Sequence, residues 1–245
     1  DGSDLGDGIL YKAALLTTDG IEHVVGATAV TQHEWLELTA DLTAFARQTV
    51  CIKLIADVGT ANNSIGDWAC IAEPRLEAPE QRLVRRLELD PHLHGCEPGP
   101  YPVEGLTLAD LRSAKRGWLR YDGMGLEGTG QVYGSFAMLN GVEMGHMAPA
   151  TGLEAQGIWA VDKRVPLTAE AIATLSFRNV FELRNPKEDY FKVRRFWIEL
   201  ELADGRQASS LISTDVYTQP PSWAYAEGVG VPFTESITID LWFSR

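Results

Sequence analysis

The chain has 245 residues, of which 45% are hydrophobic, enough apolar material for real cores in one large domain or two of ordinary size. Its formal net charge of −13 argues against nucleic acid or an anionic membrane surface as partner, because both call for a basic face. No apolar run reaches the roughly 18 residues of a membrane-spanning helix, and Cys51, Cys70 and Cys96 are too few for a disulfide scaffold.

Taken in order, Asp1 to Gly8 is rich in Gly and Asp and reads as loop. A start at Asp1 rather than Met is what a processed or excised chain would show. Ile9 to Leu16 and Ile21 to Val25 flank Asp19-Gly20, a hairpin signal. Trp35 to Leu38 alternates and reads as strand, and Asp41 to Gln48 as a single helical turn behind an Asp41 cap. Val50 to Asp57 is β-branched and aliphatic, and too short for a helix. Val58 to Gly66, with its Asn and Gly residues, reads as an irregular loop, and Asp67 opens another strand that Pro74 confines to an edge or an ending. Cys51 and Cys70 lie on segments that can be neighbours, which permits one bridge; two small buried or half-buried residues is the favoured reading.

LVRRLELD (83–90) is strand-like, and the Pro/Gly-rich PHLHGCEPGPYP that follows reads as a joint. Thr107 to Ala114 is a short capped helix, and Arg120 to Gln131, with four glycines, reads as a loop without phosphate-loop spacing. The order of the first half then recurs. Gln131 to Leu139 and Val142 to Met144 flank Asn140-Gly141, Trp159 and Val165 precede a helical turn in PLTAEAIATL, and Phe177 to Leu183 and the segment opened by Asp189 read as strands. A hairpin about Asp204-Gly205 and an alternating SITIDLWF complete the chain.

DLTAFARQTVCIKLIADVG and GDWACIAEPRL resemble the closing part of an NPCBM-type jelly-roll module, and LNGVEMG, RNVFELRNP and DYFKVRRFWIEL resemble the galactose-binding-like sandwich in general. The resemblance implies an all-β protein of two tandem, mainly antiparallel jelly rolls with only short helical turns: residues 1–90, a linker at 91–105, and residues 106–245. It also implies a noncatalytic sugar-binding or accessory role beside a secreted or cell-surface glycan-processing enzyme. A structural or assembly module of an extracellular complex is the alternative, and a glycan-active enzyme the less favoured one.

The sites are argued from residues, because fold alone fixes no function. In the loop Thr214 to Gly228, Tyr217, Trp223 and Tyr225 are flat rings able to stack on a pyranose, with Glu227, Asp215 and Gln219 to bond hydroxyls. The competing reading makes Trp223 a plug of the sandwich end. Asp122, in the Gly-rich stretch, is a further ligand candidate. Asp4, Asp7, Asp57, Asn62 and Asp67, with Asp1 and Asn63, offer hard oxygen ligands that suit a structural calcium, although Asp1, Asp4 and Asp7 do not have EF-hand spacing. His92, His94 and Cys96 fall short of a zinc spacing. Trp35, Trp68, Trp159 and Trp197 are read as core, and Glu199 and Glu201 as solvated strand residues. No catalytic elbow or zinc-protease motif is present.

Overall fold

A computed structural model describes residues 8–32, 34–57, 69–72, 74–78, 83–86, 103, 105–127, 133–151, 158–213, 215–223 and 228–245. The protein is all-β: nearly half of the described residues are in strands and about a tenth are helical. Pairings are antiparallel, with one short parallel exception near the C-terminus. The chain divides into two compact units, Asp1–Leu89 and Asp90–Arg245.

In the first unit, β1 (Ile9–Thr17) and β2 (Glu22–Val30) form a hairpin, and β3 (Val50–Asp57) returns antiparallel to the other edge of β1. Gly20 supplies the positive φ, 80°, that the tight turn needs. The central strand carries the burial, with Ala14, Leu15 and Leu16 all buried. A 3-10 turn at Thr43–Phe45 precedes β3, and the Asp41 carboxylate accepts from the Thr43 backbone N–H at 2.9 Å. Beyond it, β4 (Arg75–Ala78) pairs with β5 (Leu83–Arg86).

The second unit is a sandwich. Helix α1 (Leu108–Arg112) starts on a reciprocal capping box between Thr107 and Asp110, and α2 (Ala169–Ala173) on the Thr168 hydroxyl, which accepts from Ala171 N–H at 3.1 Å. The strands are β6 (Arg116–Met124), β7 (Phe136–Leu139), β8 (Val142–His146), β9 (Ala160–Pro166), β10 (Arg178–Arg184), β11 (Phe191–Glu201), β12 (Gln207–Ser209), β13 (Val216–Gln219), β14 (Val229–Gly230) and β15 (Ile237–Trp242). One sheet has the order β15-β10-β7-β8; the other runs β14-β13-β11-β6-β9, with β12 beside β11. Their inner faces share one core, in which the Phe196 ring of β11 lies 5.6 Å from Tyr121 of β6 and 5.0 Å from Phe181 of β10. Buried Phe191, Val193, Ile198 and Leu200 extend the inner face of β11.

The repeat read in the sequence has a topological echo. In each unit a hairpin is followed by a short helical turn, and the next strand of the sheet pairs with the first strand of that hairpin, giving β2-β1-β3 and β8-β7-β10. It is incomplete. Trp35 to Leu38 is not a strand, and Trp35 is 73% exposed rather than core. Among the described residues of the strand expected over 67–76, Arg75 and Leu76 are in a strand, the start of Arg75–Ala78, while Asp67, Trp68 and Glu73 lie outside the described residues. Residues Arg120 to Met124, read as a loop, are the end of β6. Their glycine has a packing reason: a Cβ on Gly123 would lie 2.5 Å from that of Ala150. Cys51, half-buried, and Cys70, exposed, both remain thiols.

Candidate functional site

The outer face of the six-stranded sheet gathers the unusual chemistry of the molecule, and Asp122 is at its centre. Asp122 is 1% exposed although it points away from the sandwich core. Regular pairing breaks on both sides of it. On β11 two residues lie between Arg194 and Trp197 while one lies between their partners Asp122 and Arg120, and on β9 the register shifts likewise between Tyr121 and Gly123 of β6. Each neighbour therefore carries one extra residue, and each bulge contains a side-chain-bearing residue in the left-handed region, Arg195 at φ 53° and Asp162 at φ 56°.

These bulges bring groups to one carboxylate. Asp162 N–H donates to Asp122 Oδ1 at 3.1 Å, and Oδ2 lies 3.5 Å from both Arg194 Nε and Arg195 Nη1. Among the described residues, the buried side-chain polar atoms without a hydrogen bond are Arg120 Nε, Asp122 Oδ2, Arg194 Nε and Thr218 Oγ1. All four residues are on this face, since Arg194 pairs with Asp122 and with Val216, two residues before Thr218. Such orphan atoms are rare in native proteins and tend to mark sites where stability has been given up.

Rings and cations alternate along the same face. Lys192 Nζ is 5.7 Å from the Trp223 ring, the Arg194 guanidinium 4.1 Å from Trp159, that of Arg120 5.4 Å from Trp197, and those of Arg116 and Arg164 5.5 and 5.9 Å from Trp118. Carboxylates are interleaved: Arg120 bonds Glu199 at 2.6 Å, and Arg116 bonds Glu201 at 2.6 Å. Glu199 and Glu201 are thus ion-paired. Trp159 and Trp197 belong to this face and are absent from the shared core.

At the Trp223 end, loops supply a second group of rings. Trp223 lies in the 3-10 turn Pro221–Trp223, half-buried; its ring meets Tyr190 edge-on at 5.4 Å, and Tyr190 in turn meets Phe233 at 5.3 Å. Tyr190 is 47% exposed. Gly125 brings backbone beneath them, because a Cβ there would lie 2.7 Å from the Tyr190 carbonyl oxygen. A buried amide network fixes these loops. Gln219 donates to the carbonyls of Pro232 and Glu235 and accepts from Asn185, which also accepts from Asp189 N–H, while Asp189 accepts from Glu127 N–H. Burial raises the Asp189 carboxyl above its ordinary value, the nearby Glu127 charge adding to this.

The expected site residues are therefore dispersed. Trp223 is at the ring cluster, and Asp122 lies along the sheet from it rather than in a loop. Tyr217 is in β13 opposite Val193, on the core side; its hydroxyl donates to Asp215 at 3.1 Å, and burial, with the Asp215 charge, pushes its pKa up. Gln219 is fully buried with its amide committed internally. Tyr225 and Glu227 lie outside the described residues, as do Asp4, Asp7, Asn62 and Asp67 of the expected calcium set. Asp57, the remaining member, is 2.7 Å from Lys12 Nζ, and among the described residues no group of three metal-ligating side chains assembles. Sequence reasoning missed Tyr190, Phe233 and the arginines of β6, β9 and β11. The alternation in RGWLRYD and KVRRFWIELE was the available signal for the latter.

No protein-family model matches the chain, and no curated protein or solved structure is detectably similar to it.

Proposed function

We propose that this chain is a noncatalytic carbohydrate-binding or accessory module of a secreted or cell-surface glycan-processing protein, with its two units as tandem jelly rolls. One observation carries the reading: Trp223 and the half-exposed Tyr190 meet edge to face on loops fixed by a buried amide network. Flat rings of this kind stack on the C–H face of a pyranose, and a rigid mount lowers the ordering cost of doing so. Glycan-array binding with the intact chain tests it. Trp223→Ala should weaken binding by about 1–3 kcal/mol, the scale of one buried ring contact, with little loss of stability. Undiminished binding by a folded Trp223→Ala, Tyr190→Ala double variant would reject the platform.

An assembly role is favoured by a different observation, the 73% exposure of Trp35 beside the exposed Leu36 in the first unit. A Trp35→Ser variant that leaves the sedimentation profile of the native assembly unchanged would remove that reading. The structural calcium is tested by the thermal midpoint, which should fall when EDTA is added and recover with excess calcium.

A further inference from the structure

We infer that the outer face of the six-stranded sheet holds an extended anionic polysaccharide, its uronate or sulfate groups lying along the row of arginines; this rests on the glycan-binding reading and narrows its ligand. The row has the right form. From Lys192 to Glu201, β11 runs roughly 30 Å at about 3.3 Å per residue, room for several sugar units, and rings alternate with cations throughout. Indole faces suit pyranose rings, and guanidinium forks suit carboxylate or sulfate oxygens.

Charge separates this face from the rest of the molecule. In a chain of net charge −13, its described side chains include Arg116, Arg120, Arg164, Lys192, Arg194 and Arg195 against the carboxylates of Asp122, Asp162, Glu199 and Glu201. The arrangement also works against the sheet's own stability. Arg120 stands directly opposite Arg164 across β6 and β9, and like charges in that relation are destabilising. Of the four orphan buried atoms, Arg120 Nε and Arg194 Nε are donors, Asp122 Oδ2 is an acceptor and the Thr218 hydroxyl can be either, so polar groups on this face are left short of full satisfaction. Crowded cations and two left-handed bulges have one common rationale in a ligand that brings negative charge.

The interleaved carboxylates favour a glycan over nucleic acid. Duplex DNA presents one charge about every 1.7 Å, and its phosphates would meet Glu199, Glu201 and Asp162 with repulsion. A charged polysaccharide places hydroxyls between its acidic groups, and those hydroxyls can donate to the same carboxylates.

The test uses the full chain with heparin, polygalacturonate, neutral dextran and double-stranded DNA as probes, by titration at two salt concentrations. Arg116→Glu combined with Arg164→Glu changes two exposed cations, and Arg178→Glu is the control, a guanidinium 5.9 Å from Trp242 and paired with Asp240 on the other sheet. We expect heparin or polygalacturonate to bind, more weakly in higher salt, with a loss of about tenfold or more in the double variant and none in the control. Binding to dextran alone, indifferent to the double variant, would overturn this inference and leave the glycan reading intact. DNA bound as tightly as heparin would overturn both in favour of a general polyanion site, and failure of every probe to bind would overturn this inference, the glycan array deciding the broader reading. The unfolding midpoint of the double variant, expected to match the parent, separates lost binding from lost fold.

Discussion

Asp122 is held by groups from the two strands that flank its own, so its removal should be felt across all three. Asp122→Ala would leave the Asp162 N–H without its acceptor and two half-buried guanidiniums without their shared anion, a change of the kind that costs about 3 kcal/mol or more. Asp122→Asn keeps an oxygen for that N–H and should cost less; denaturant midpoints of the two variants would order them. Asp162→Gly relieves a left-handed side-chain residue and should recover about 1 kcal/mol, set against the contact of the exposed Asp162 carboxylate with Arg120 at 3.3 Å that it loses, so the midpoint is expected to rise slightly. Asp189 gives the opposite kind of prediction, one about pH. Its folded carboxyl is raised above 3.8 chiefly by burial, so the folded state binds the proton more tightly than the unfolded chain does. The stability due to this group is therefore complete below the unfolded value and declines as pH rises through the folded one. Asp189→Asn should flatten that part of the stability profile in denaturation series across the acidic range, and an unchanged slope would refute the assignment.

At the level of elements, the Asn140-Gly141 turn does more than close β7 onto β8. Both residues have positive φ, 50° and 82°, as a tight primed hairpin turn requires. The Asn140 amide also donates to the Thr174 carbonyl at 3.1 Å and to Asn179 at 3.0 Å, and its oxygen accepts from Val180 N–H at 2.9 Å. Asn140→Gly keeps the backbone conformation and loses the links to α2 and β10, so its cost, about 2 kcal/mol in an unfolding titration, measures the network rather than the turn. This hairpin was legible because its signal is local: two residues dictate a backbone conformation. The capped helices at Thr107 and Thr168, the short helical turn before β3 and the alternating β15 were legible for the same reason. The end of strand β6 was not, because Gly123 reads as a loop residue when its cause is distant, as is that of Gly117. A Cβ at Gly117 would meet Leu200 at 2.5 Å, and neither Leu200 nor Ala150 is near in sequence. The segment Trp35 to Leu38 failed the other way, since it alternates like a strand and is given no strand pairing in the sheet of the first unit.

Over the whole molecule, summed charge concealed the feature with the most chemistry. A net charge of −13 argues against a basic face only if charges are evenly spread, and here the arginines of β6, β9 and β11 are brought to one surface by pairings between residues as much as 85 apart. Only register could reveal that. The second unit has what independent folding requires, because its core cluster is drawn entirely from residues between Leu106 and Phe243. The outer-face arginines, the Trp223 and Tyr190 rings and the Asn185–Gln219 network all belong to the same unit. A fragment of residues 103–245 should therefore unfold in one cooperative transition, with a free energy in the range of about 5–15 kcal/mol usual for single domains. It should also keep the parent's affinity for whichever polysaccharide the full chain binds. A fragment that folds cooperatively and has lost that affinity would move the binding site out of this unit, and a fragment with no cooperative transition would show that its core depends on residues before 103.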